Sequence, residues 1–267
     1  MTSTAQFVFQ IVGIVVAGWT SAIGAVTLLA GQAAVFALGA LAVSRLRPAP
    51  PASGRPRGES RLHAMLDGLR ETWASQRTFP IMVSMLAVGV LYGGSFAVIL
   101  PLIVRDVYGG SSSELALVNT AFWVGTIAAT LAQIKAGALR RPGRAVVVSM
   151  AGGVLILAAM AVPGPLWGFV ALCGVWGVGA GVVLNQGRTI VQLETRESHR
   201  ARALAIFQLG FTGGAPVGAL ALGYLVVLVG PRASTVFPAG AMTVVLAFLV
   251  VRSGLWRHAP TAQRSPA

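Results

Sequence analysis

"VQLETRESHRARALAIFQLG", residues 191–210, gathers Glu194, Arg196, Glu197, His199, Arg200 and Arg202 into nine positions and then turns apolar again. Such a burst is either a loop on a soluble protein or a polar elbow between two membrane helices. Composition decides between them. Of the 267 residues 55% are hydrophobic and only 10% are charged, where a soluble domain carries about 25% charged residues. A soluble core of this length could not hide so much apolar surface, so the stretch reads as an elbow.

Working outward, hydropathy marks eight segments, 5–22, 24–44, 80–103, 114–135, 145–162, 166–187, 203–228 and 233–252, each near the ~20 residues that cross a bilayer. Unpaired backbone is not tolerated in lipid, so segments this long and apolar are predicted to be helices. They lack the in-out alternation of a transmembrane β-barrel. The expected fold class is an all-α membrane protein with about eight transmembrane helices.

Arginine and lysine set the expected orientation, because positive residues stay on the cytoplasmic side. Residues 45–78 hold Arg45, Arg47, Arg55, Arg57, Arg61, Arg70 and Arg77, and the next connection on that side holds Lys135, Arg140, Arg141 and Arg144. Arg188, Arg196, Arg200 and Arg202 follow, then Arg252, Arg257 and Arg264 in the tail, while Arg105 and Arg232 fall on the other face. The prediction is a multi-pass protein of the cell inner (plasma) membrane with both termini cytoplasmic. The net charge of +13 is spread between apolar runs, with no basic stripe beside base-stacking aromatics, which argues for the lipid bilayer and against nucleic acid as partner. The lone Cys173 allows no internal disulfide. No Lys or Arg precedes the first apolar segment, so that segment reads as a retained helix and not a signal peptide.

Within the long connection, "RPAPPASGRPRG" (47–58) has the composition of a linker. In 59–77, Leu62, Met65, Leu66, Leu69 and Trp73 recur at helical spacing, as in an amphipathic helix lying on the membrane surface. Ser111 followed by Glu114 predicts a capping box for the next helix, which makes Glu114 a cap and not a catalyst.

Gly210, Gly214 and Gly218, and also Gly177 and Gly181, repeat every four residues, a spacing that lets helices pack closely in lipid. Pro216 inside the first run predicts a bend. All acids lie in connections or at helix ends, so no intramembrane carboxylate of the kind used for ion coupling is visible. Among the uncharged polar residues within helices, Tyr92, Ser95, Asn119, Asn185 and Gln208 are the candidates for a substrate pathway. Each alone is more often an interhelical hydrogen bond than a ligand contact. Tyr92 leads because Gly93 and Gly94 beside it permit local unwinding. His63, His199 and His258 have no metal-site spacing, and no GxSxG, P-loop or CxxC occurs. No enzyme activity, metal or cofactor is expected.

Two stretches, "FAVILPLIVRDVYGGSSSELALVNTAFWVGTIAATLAQIKAGAL" (96–139) and "GVVLNQGRTIVQLETRESHRARALAIFQLGFTGGAPVGALALG" (181–223), resemble the major facilitator superfamily, and within it the enterobactin-exporter branch, the transmembrane secretion effectors. The resemblance covers nearly the whole chain. It implies that residues 1–44 correspond to the fifth and sixth helices of the N-terminal half. Residues 45–78 would then be a cytoplasmic linker, 79–252 the six-helix C-terminal half, and 253–267 a cytoplasmic tail. The family's first four helices are not represented. The segment "GALRRPGR" (137–144) is similar to the family's loop signature through Gly137, Leu139, Arg141, Gly143 and Arg144, without its Asp. With Arg200 and Arg202, the residues Gly137, Arg141, Gly143 and Arg144 are the candidate gating positions. The implied function is efflux of a small molecule by a secondary active carrier, truncated and inactive alone if the missing helices are required. The alternative is a non-transporting membrane protein that assembles with a second chain supplying those helices.

Overall fold

The computed structural model describes residues 25–45, 78–137, 139–195, 199–252 and 256. The predicted span at 5–22, the linker and amphipathic helix at 46–77, and most of the tail lie outside the described residues. The chain divides into two compact units, Met1–Ser60 and Arg61–Ala267.

In the first unit, α1 (Ala25–Ser44) has Thr27, Gln32 and Ser44 as its only polar residues, and Ser44 Oγ donates to the Leu41 carbonyl at 2.8 Å. A helix apolar on every side is at home in lipid.

Among the described residues the second unit contains six helices long and apolar enough to cross a membrane: α2 (Phe79–Val107), α3 (Ser112–Ala136), α4 (Pro142–Ala161), α5 (Leu166–Glu194), α6 (Arg200–Val229) and α7 (Val236–Arg252, entered through a single tight turn, Ala233–Thr235). No strand occurs among the described residues. Helices α2 and α6 pack together, α3 packs on α5, and α4 lies against α5 and α7. The chain reverses at alternate ends. We call the end that holds Gly137, Arg140, Arg141, Thr195 and His199 the elbow end.

Local chemistry sets the boundaries. At the start of α3, Ser111 Oγ accepts from the Ser113 N–H at 3.3 Å and a Glu114 carboxylate oxygen accepts from the Ser111 N–H at 2.7 Å, which is the predicted capping box. Gly137, with φ +72°, ends that helix, in a conformation that a side chain would strain. Pro142 sits in the first turn of α4, where a missing N–H costs nothing. Pro163 and Pro165 separate α4 from α5. Helix α2 carries three wider π-helical stretches, Val88–Gly93, Ser95–Ile99 and Ile103–Val107, with Pro101 between the last two. Helix α6 stays helical through Pro216.

The core holds Ile81, Met85, Ile99, Met150, Leu157, Ile190, Phe207, Met242 and Leu249, all essentially inaccessible. The outer faces are just as apolar: Val124, Leu155, Trp167, Leu220, Val227, Val244 and Val251 are more than half exposed. A water-soluble bundle would turn polar side chains outward. Helices greasy both inside and out need lipid as their solvent.

One boundary differs from the sequence expectation. Helix α5 runs to Glu194 and not to 187. Hydropathy drops at Gly187 and Arg188, but Ile190 and Val191 behind them are fully buried and continue the inner stripe of the helix. Arg188 therefore lies within a membrane-length helix, where the sequence placed it in a connection.

Candidate functional site: a polar row across three helices

Glycines bring the backbones together. On α5, a Cβ at Gly177 would collide with the Phe122 carbonyl of α3, and one at Gly181 would fall 2.7 Å from the Thr126 carbonyl. Gly125 of α3 meets the Gly174 carbonyl in the same way. On the other seam, Gly218 of α6 faces the Val90 carbonyl, Gly214 faces Val90 N at 3.0 Å, and Gly89 and Gly94 of α2 face Phe211 and Gly218. Gly210 lies 3.4 Å from Leu86 N by the same measure.

Close backbones put polar side chains within reach of the neighbouring helix. Thr126 Oγ1 donates at 3.0 Å to the Gly177 carbonyl or to that of Phe122. One turn on, Asn185 Nδ2 donates to Thr130 Oγ1 at 2.9 Å, and Gln186 Nε2 donates to Gln133 Oε1 at 2.6 Å. Gln133 Nε2 in turn reaches the Ala129 carbonyl at 3.1 Å. Asn185 and Arg188 are three residues apart and so share a face of α5. From there Arg188 Nη2 donates to Gln208 Oε1 on α6 at 3.0 Å, and Gln208 Nε2 donates to Thr212 Oγ1 at 3.1 Å. The result is a polar row of two hydrogen-bonded groups, Thr130–Asn185 and Arg188–Gln208–Thr212, set on α3, α5 and α6. Thr130, Asn185 and Arg188 are half-buried, while Gln208 and Thr212 are exposed. Accessible amides, hydroxyls and a guanidinium in one line can bind a polar solute.

Two of the pathway candidates, Asn185 and Gln208, fall in this row. The other three lie elsewhere. Tyr92 is buried, its hydroxyl donates to the Met150 carbonyl at 2.5 Å, and its ring meets Trp176 edge-on at 5.7 Å. Ser95 is buried and returns its hydroxyl to the Leu91 carbonyl at 2.6 Å. Asn119 Nδ2 donates to the Leu115 carbonyl at 2.9 Å. Sequence reasoning missed Arg188, Thr130 and Thr212 as members of the site. The i, i+3 pair Asn185 and Arg188 was the signal that could have found them.

The gating candidates lie at the elbow end. Gly137 ends α3, Arg141 caps α4 without a side-chain bond, and Gly143 is buried. The Arg144 guanidinium stacks over the Trp256 ring, 4.8 Å from its centroid, an attraction of cation for π face. Arg202 is exposed, and the buried Nε of the half-buried Arg200 has no hydrogen-bond partner among the described residues.

At the opposite end, Tyr108, Met160, Pro163, Pro165, Phe169 and Leu172 line an apolar concavity of about 550 Å³. Its lining is mostly apolar, in contrast to the row. No cluster of three metal-ligating side chains occurs among the described residues.

Long helices with apolar outer faces, closed on glycine seams around a polar row, define a multi-pass helical membrane protein. A family model described as Major Facilitator Superfamily matches residues 1–195. That is well over half of the chain, and the chain belongs to this superfamily of transporters. No curated protein and no solved structure matches it.

Proposed function

We propose that the protein exports a small molecule across the plasma membrane as a secondary active carrier, of the kind found in the enterobactin-exporter branch. The observation that carries this reading is the row Thr130–Asn185–Arg188–Gln208–Thr212, an accessible line of hydrogen-bonding groups on three largely apolar helices. Polar groups inside membrane helices mark substrate pathways. The Arg-rich bends at 135–144 and 196–202 support a cytoplasmic elbow end and cytoplasmic termini. The row then lies on the cytoplasmic side of the bundle, where an exporter takes up its cargo. In this reading residues 79–252 act as one half of the carrier and move as a body against the other helices, as carriers of this type rock about a central site.

The test is accumulation of a panel of fluorescent small molecules in cells lacking their own exporters and producing the full chain. Wild-type protein is expected to lower accumulation of at least one compound, and Asn185→Ala to reverse this several-fold at unchanged membrane levels. Unchanged accumulation across the panel, with good membrane expression, rejects active export.

A further inference from the structure

We propose that Arg188 anchors an anion-selecting subsite, so that the exported molecule carries a carboxylate, phosphate or sulfonate group; the inference rests on the carrier reading above.

The first argument is direction. Helix α5 has 29 residues and is thus about 43 Å long. Arg188 precedes its last residue, Glu194, by six positions, or about 9 Å. An arginine at that depth commonly turns outward to lipid headgroups. Here it does not. On any helix the Cα–Cβ bonds tilt toward the N-terminus, which on α5 is away from the elbow. The partner oxygen belongs to Gln208, eight residues into α6, about 12 Å from that helix's elbow end. Gln208 is itself held by Thr212, one turn further from the elbow. The guanidinium is therefore tied inward.

The second argument is charge. Among the described residues the guanidinium bonds a neutral amide and no carboxylate. Glu194, on the same helix, is six residues on, a position about 120° round the helix from Arg188. A cation held inside a membrane helix without a counter-charge is unfavourable, and such residues mark ion and substrate paths. A bound anion supplies the counter-charge that the described residues do not.

The third is geometry. One of five N–H donors is used on Gln208, and the planar fork that remains matches two oxygens of a carboxylate, phosphate or sulfonate. Asn185, on the same face of α5, and the exposed Thr212 on α6 add uncharged hydrogen-bonding groups further from the elbow. These can hold the rest of a polar solute.

The test uses fluorescein, an anion, and rhodamine 123, a cation of similar size. In exporter-deficient cells producing the full chain, the wild type is expected to lower fluorescein accumulation. Arg188→Gln should abolish that effect, Arg188→Lys retain part of it, and Arg252→Gln, at the end of α7, behave as wild type. Binding to the detergent-purified full chain, read by fluorescence polarisation, reports the subsite without transport. Arg188→Gln is expected to weaken fluorescein at least 10-fold. Gln208→Glu, which places a carboxylate against the guanidinium, should do the same without lowering the melting temperature. Equal fluorescein affinity in wild type and Arg188→Gln overturns the proposal, as does preference for rhodamine 123. Loss of bound fluorescein on adding excess phosphatidylglycerol assigns the site to lipid headgroups and also overturns it. Fluorescein bound through Arg188 but never exported leaves the subsite standing and rejects the carrier reading instead.

Discussion

Tyr92 donates its hydroxyl to the Met150 carbonyl, and Gly153 leaves the room that its ring occupies: a Cβ there would lie 2.7 Å from two ring carbons. The side chain ties α2 to α4. Tyr92→Phe keeps the ring and is expected to cost about 0.6 kcal/mol, the average for a hydrogen bond between membrane helices. Gly153→Ala presses on the ring and is expected to cost about 1–3 kcal/mol. Thermal unfolding of the purified protein in detergent checks both, with Gly153→Ala the less stable. The sequence singled out Tyr92 for the neighbouring Gly93 and Gly94, and the neighbours explain the misdirection: both face α6, where Gly93 approaches Ala215 and Gly94 approaches Gly218. A glycine pair reports that something comes close, and composition does not say whether that is a solute or another helix. Arg188 was hidden for the opposite reason, since a charged residue at the edge of a hydropathy peak is counted as the end of the segment.

Helices pair here through stripes of small residues. Gly218→Ala puts a methyl group onto the Val90 carbonyl, so α2 and α6 must separate. The expected cost is about 1–3 kcal/mol, with a clear fall in the fraction surviving mild heating on size-exclusion chromatography. Gly240→Ala on α7 meets nothing within 4 Å and is expected to be neutral. Equal behaviour of the two variants would reject the seam as a source of stability. The four-residue spacing was legible on α5 and α6 because each stripe lies on one helix. Its complement was not, since Gly89 and Gly93 sit in the first π-helical stretch of α2 and Gly94 between it and the second, where the ordinary helical period fails, and no one-dimensional pattern names its partner. The end of α3 and the capping box at its start were legible because Gly137, Ser111 and Glu114 act on residues within one turn.

At the scale of the molecule, apolar length alone located the six spans of the second unit to within a few residues, apart from the end of α5. The helix pairing needed three dimensions. Sidedness is open to a labelling test in a Cys173→Ser background, Cys173 being the lone thiol and fully buried. Arg140→Cys and Gly164→Cys place single exposed thiols at opposite ends of α4. A membrane-impermeant maleimide is expected to label position 164 in intact cells and position 140 only after permeabilisation; the reverse pattern overturns the cytoplasmic elbow. The two glycine seams have a mechanical corollary. With α2 clamped to α6 and α3 to α5, each couple is a single plank. Arg188 reaches from one plank to Gln208 on the other like a clasp, so the two couples are fastened edge to edge into one board that tilts as a whole.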